Sequence, residues 1–198
     1  MNLNLIKHVA RLCAILSLSV GMAQAANQAA DRYQQTIALF KNAGQSATFF
    51  DKSYAFAVFP TIGEGALGVG GAHGKGHVYV HGKWVGDVSM NQVSIGLQAG
   101  GKAFSEIIFF EDKRALDEFE SGSFAFGADA GVVVVTAGAS VSSGTDGTDS
   151  SASAGPKDAA THGHYDRGVA TFVIPKGGLM GQASVAGQKF SYTPRSES

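Results

Sequence analysis

The stretch from Ala55 to Gly101, AFAVFPTIGEGALGVGGAHGKGHVYVHGKWVGDVSMNQVSIGLQAGG, constrains the fold more than any other part of the chain. An apolar run stops at Pro60, and a comb of glycines follows. Glycine has no Cβ, so this density means that backbone approaches something closely or that a sheet bends sharply. Between the glycines the period is two. Val78 and Val80 alternate with His77, Tyr79 and His81, and Val93, Ile95, Leu97 and Ala99 alternate with Ser94, Gly96, Gln98 and Gly100. Such alternation predicts strands.

The flanks supply the other elements. Tyr33, Ile37 and Phe40 fall on one face of a predicted helix over Ala29 to Asn42, which Gly44 caps. A short second helix is expected over Ser46 to Asp51, then a buried strand from Tyr54 to Phe59 that Pro60 ends. Ile107 to Phe110 is a continuous apolar strand, and Asp112 caps a short helix through Glu120 that turns Leu116 and Phe119 inward. Phe124 to Ala139 is strand-like, and residues 142–160, rich in Ser, Gly, Asp and Thr, are a loop. Val169 to Ile174 and Leu179 to Ala186 close the fold as strands, with Pro175 and Gly177-Gly178 as their turn and a tail from Pro194. The expected class is α+β: N-terminal helices packed on a strongly curved, mostly antiparallel, barrel-like β-sheet, with one further short helix.

The first residues read as a leader. Lys7 and Arg11 precede an apolar run from Leu12 to Val20, and Ala23-Gln24-Ala25 has the small-x-small form of a signal peptidase site. Residues 1–25 are therefore expected to be a signal peptide, and 26–198 one domain that is periplasmic or secreted. The single cysteine, Cys13, lies in the leader, so no disulfide supports the mature chain. The whole chain has a formal net charge of −1, and losing Lys7 and Arg11 makes it more acidic. With no basic run, nucleic acid is not an expected partner. Membrane contact needs apolar insertion or a local patch rather than overall charge.

Catalytic patterns are missing. Gly63-Glu64-Gly65-Ala66-Leu67-Gly68 matches G-x-G-x-x-G, but Val69-Gly70-Gly71 cannot start the helix that holds a pyrophosphate. Ser94-Ile95-Gly96 lacks the glycine of a nucleophile elbow. His73, His77 and His81 are spaced by four, and on a straight strand they would span roughly 13 Å, too far to share one ion. Metal binding by these histidines stays as a minor alternative. The reading assigns no catalytic residue, no metal site and no cofactor.

Binding has more support. Bare glycine positions let another segment or an acyl chain approach the backbone. Trp84 is amphipathic, and Lys75, Lys83 and Lys102 lie in or beside the glycine-rich segments, a combination suited to a phospholipid headgroup boundary. In order, Ala55-x-Ala57-x-Phe59-Pro60, Gly68-x-Gly70-Gly71-x-x-Gly74-x-Gly76, Gly96-x-Gln98-x-Gly100 and Phe126-Gly127-Ala128-Asp129-Ala130 resemble the SYLF domain, also called the yeast actin-binding domain. The resemblance implies a non-enzymatic, lipid-binding SYLF-like domain, with phosphoinositides favoured in eukaryotic members and no actin partner expected for a secreted bacterial-type chain. The expected lipid-binding residues are Tyr33, Ile37 and Phe40 on the first helix and Lys75, Lys83, Trp84 and Lys102 on the glycine-rich surface. The alternative is an envelope structural or protein-interaction module that uses an exposed sheet edge.

Overall fold

The computed structural model describes residues 28, 30–44, 46–122, 165–178 and 187–196; the side chains at 66–69, 94–99 and 177–178 fall outside that set. The leader over 1–25, the strand expected at Phe124 to Ala139, the loop at 142–160 and the strand expected at Leu179 to Ala186 lie outside the described residues. The chain divides into two compact units, 1–35 and 36–198, and the second holds the sheet.

Helix α1 covers residues 30–41, and Gly44 after it takes a left-handed φ of 65°, as its capping role requires. Helix α2 (Ser46–Phe50) follows, tied back by the Ser46 hydroxyl, which donates to the carbonyl of Phe40. Strands β1 (Ala55–Val80) and β2 (Lys83–Phe110) then form one long antiparallel hairpin. His81 and Gly82 make its turn with φ of 48° and 77°. Two successive positive φ values match the right-handed twist of the flanking strands, which is why a two-residue turn suffices. Helix α3 (Lys113–Glu120) starts at Asp112, whose side chain accepts from the Ala115 N–H at 2.8 Å. Strand β3 (Val169–Gly178) pairs with the end of β2, and β4 (Gln188–Pro194) with its beginning. All the ladders are antiparallel, and the class is α+β as expected.

Two expected boundaries move. Pro60 does not end a strand, because β1 runs through it, and the β1–β2 register shifts between Phe59 and Ile62. A proline lacks the N–H a regular ladder uses, so it sits where the ladder is already interrupted. Its carbonyl accepts from the Ser105 hydroxyl at 2.8 Å. Likewise Pro175 and Gly177-Gly178 are not a turn. They continue β3, with a register shift between Ala103 and Phe104 of β2 beside Pro175.

The glycines make the hairpin curl. A straight strand would separate Ile62 from Gly74 by roughly 40 Å at ~3.3 Å per residue. Instead, a Cβ built on Gly74 would lie 2.6 Å from Ile62 Cγ1, and one on Gly76 2.8 Å from the Val58 carbonyl oxygen. The later half of β1 therefore passes directly over its own beginning. At the seam the His81 N–H points to the Tyr54 carbonyl at 3.5 Å, and the Phe56 and Tyr79 rings stack at 5.0 Å. Among the described strands the ladder path runs β1-β2-β3, with β4 also on β2.

One interior results. Phe59, Ile62, Val78, Val88, Met90, Phe104, Ile108 and Phe110 fill it from the hairpin. Phe119 of α3 packs on Phe110 and Phe190 with ring centroids 4.8 Å apart in both cases. On the opposite side of the β1–β2–β3 sheet, Phe49 and Phe50 of α2 cover Phe56, Phe109 and Phe172. The apolar run Ile107 to Phe110 is thus buried on both faces, which explains why it does not alternate.

Replacing Gly76 by alanine puts a methyl within 2.8 Å of the buried Phe59 ring and of the Val58 carbonyl oxygen. The expected loss is about 1–3 kcal/mol, the usual cost of overpacking. A Cβ on Gly63 meets nothing within 4 Å, so Gly63→Ala is expected to leave stability unchanged or slightly raised. Thermal unfolding of the two variants beside the parent separates close approach from mere glycine content.

Candidate functional site

The start of β2 is flanked by the end of β1 and by β4, and registry fixes what this three-stranded segment shows outward. His73 lies opposite Asn91, which lies opposite Lys189; Lys75 lies opposite Ser89, which lies opposite Ser191. His73 Nδ1 is 2.9 Å from Asn91 Oδ1, which confirms the shared face. Residues directly opposite in a ladder point the same way, so the intervening Ala72, Met90 and Phe190 point inward and are buried. His73, Lys75, Asn91, Lys189, Ser191 and Thr193 are exposed. Two strand spacings and one two-residue step set the Cα atoms of Lys75 and Lys189 roughly 12 Å apart. Hydroxyl and amide groups lie between them. Val93, at the end of this face, is 73% exposed.

Toward the hairpin turn the same face is closed by aromatic packing. Trp84 stacks on His77 at 4.0 Å on one side, and the Arg195 guanidinium lies 4.0 Å from its ring. Its indole N–H donates to the Gly86 carbonyl at 3.0 Å. His77 Nε2 is 3.3 Å from Asp87 Oδ1. Burial lowers the His77 pKa below its ordinary value against the opposing pull of Asp87, while burial, then Asp87, raises that of Tyr79.

The expected binding residues divide sharply. Lys75 and Lys83 are exposed. Ile37 and Phe40 are buried at 8% and 1%, so these two side chains pack inside, while Tyr33 is half-exposed. Trp84 is engaged by His77 and Arg195. Lys102 points inward, where its Nζ lies 3.0 Å from Glu64 Oε2 with both side chains almost wholly buried. His73 and His77 share the outer face, but His81 is in the turn, its ring set edge-on to Tyr54 at 5.0 Å. Among the described residues no three His, Cys, Asp or Glu side chains converge as metal ligands.

Sequence reasoning missed Lys189 and Ser191, because it placed no strand at 188–194. The signal was present in QKFSYTP, where Phe190 and Tyr192 turn inward and Lys189, Ser191 and Thr193 outward. It also missed an interior polar set. Glu106 and Gln188 are fully buried, and Gln188 Nε2 donates to Glu106 Oε2 at 2.9 Å. Burial pushes the Glu106 pKa up to about 8, opposed by the Gln188 hydrogen bond.

These features define an outer sheet face carrying cations and hydroxyls over an apolar, partly polar interior. The sequence profile of Ysc84, described as Las17-binding protein actin regulator, matches residues 91–196, more than half of the chain. The chain belongs to this family, the SYLF family, whose members act as binding domains. It is also similar to beta cell expansion factor A of Aeromonas veronii, with 29% identity over 156 residues, 78% of this chain and 51% of the relative. The chain thus spans about half the length of that relative.

Removing the carboxylate of Glu64 takes from the buried Lys102 ammonium the acid that lies 3.0 Å from its Nζ. Glu64→Ala is expected to cost about 3 kcal/mol in urea unfolding, in the range seen when a buried pair loses one partner. Replacing both residues by apolar ones of similar size, Glu64→Leu with Lys102→Met, is expected to recover most of that loss.

Proposed function

We propose that this protein is a non-enzymatic phospholipid-binding protein of the bacterial cell envelope. On this reading it meets headgroups with the outer face formed by the end of β1, the start of β2 and β4. Membership of the SYLF family supports a binding role. The carrying observation is the row of Lys75, Ser89, Asn91, Ser191 and Lys189, in which cations flank hydrogen-bonding groups and all but the half-buried Ser89 are exposed. A phosphate-bearing surface complements that pattern. The chain is otherwise slightly acidic, so the attraction is local. Contact is at headgroup depth, since Ile37 and Phe40 of α1 are buried. Export through the leader at 1–25 places the domain beside envelope phospholipid.

Vesicle co-sedimentation tests this reading. Binding to phosphatidylglycerol-containing vesicles is expected to exceed binding to pure phosphatidylcholine and to weaken with added salt. A lysine near an anionic surface contributes about 1 kcal/mol, so Lys75→Ala with Lys189→Ala is expected to weaken binding about 30-fold. An unchanged affinity in the folded double variant moves the site elsewhere, and no binding to either vesicle overturns the function. Phe40→Asp is expected to lower the unfolding temperature rather than act on vesicle affinity alone.

A further inference from the structure

A third residue of the outer face stands beside its two lysines. His73 is exposed and shares a ladder row with Asn91 of β2 and Lys189 of β4, two residues before Lys75 on β1. Strand residues rise ~3.3 Å each and neighbouring strands lie ~4.8 Å apart, so the His73 Cα is roughly 7 Å from that of Lys75 and roughly 10 Å from that of Lys189. His73, Lys75 and Lys189 therefore mark the corners of a triangle, with Asn91 on one side of it.

The His73 ring is held at one edge and open at the other. Its Nδ1 lies 2.9 Å from Asn91 Oδ1. A carboxamide oxygen only accepts, so Nδ1 carries the hydrogen and a proton gained in acid goes to Nε2. The contact with Asn91 thus persists in both charge states. The other two histidines of the hairpin are placed differently. His77 lies against Trp84 with its Nε2 3.3 Å from Asp87, so a charge gained there is answered by its own carboxylate. His81 sits in the turn against Tyr54.

The charged and titratable groups on the surrounding strands are Lys75 and His77 on β1, Asp87 on β2 and Lys189 on β4. Asp87 is four residues from Asn91, roughly 13 Å along the strand, and is engaged with His77. Glu64 and Lys102 pair inside, and Glu120 of α3 is bonded to the inward Tyr192. A charge gained at His73 therefore stands next to an amide and between two cations, on the exposed side of the sheet.

We propose that His73 is a third contact of this face for anionic phospholipid, passive when neutral and attractive when protonated, so that the face holds an anionic membrane more tightly as pH falls. Histidine is the side chain whose charge ordinarily changes between pH 5 and 8. Above that range the face presents two cations, and below it three. A cation near an anionic surface adds to the attraction, so the sign is fixed: taking up the proton strengthens binding. By linkage, binding must in turn draw a proton onto the site. His73 plays this part only if the proposed headgroup contact holds.

Co-sedimentation of the full mature protein with vesicles of phosphatidylglycerol and phosphatidylcholine, at pH 5.5 and at pH 8, is the test. Phosphatidylglycerol is a phosphodiester and keeps its charge across this range. The parent is expected to bind about fivefold more tightly at pH 5.5. His73→Gln keeps a donor for Asn91 but cannot become charged, and is expected to remove that gain. His73→Lys is expected to bind at pH 8 about as tightly as the parent does at pH 5.5. Calorimetry in buffers of different ionisation enthalpy is expected to show proton uptake on binding, smaller in His73→Gln than in the parent. Equal affinity of the parent at the two pH values, or an equal pH dependence in His73→Gln, overturns the role of His73. If Lys75→Ala with Lys189→Ala still weakens binding in that case, the headgroup contact itself stands. No binding to the vesicles at either pH overturns both.

Discussion

The fold depends on one close approach, that of Gly74 and Gly76 to the backbone at Val58 to Ile62. Sheets that pack through side chains stand about 10 Å apart. Here a side chain on either glycine would overlap its neighbour, so the two halves of β1 come together with almost nothing between them. That contact turns an extended hairpin into an enclosure. Phe59, Met90 and Phe104 can then share an interior, and the seam between Phe56 and Tyr79 can form. Without it the inner face of the hairpin would lose the wall that β1 folds over it.

The enclosure sorts polar groups by position rather than by residue type. Lys75 and Lys102 look alike in sequence, each beside glycines, yet one is exposed and the other is paired with Glu64 inside. Trp84 and Phe40 look like membrane-seeking side chains, yet one has His77 and Arg195 against its ring and the other is core. What is left to face a partner is set by registry, which brings Lys189 of β4 into line with His73 of β1 across Asn91.

Local patterns were legible in the sequence where their cause is local. The cap at Asp112, the left-handed Gly44, the period-two strands and the doubly buried Ile107 to Phe110 all follow from neighbouring residues. So does the general sense of the glycine comb. Pro60 and Pro175 misled because a proline signals a broken ladder, and a broken ladder is either a strand end or a bulge. Which one applies depends on the partner strand. The candidate face was legible only in half. Lys75 stood out beside its glycines, whereas Lys189 gained meaning through pairing with a strand about a hundred residues earlier. Glu106 gave no local sign, since a lone glutamate in a strand becomes unusual only when the opposite wall closes over it.

Chain order and spatial order are at odds in this sheet. Glu106 and Gln188 are 82 positions apart, yet they share an interior bond, and Met90 waits for Phe190 as its ladder partner. The early hairpin can form from neighbours in sequence, but Phe59 and Met90 on its inner surface meet Phe190 only when β4 arrives. Long-range closure of this kind slows folding and prolongs exposure of sticky surface. The elements made first do not complete the core, and the fold is not locked until β4 joins the sheet.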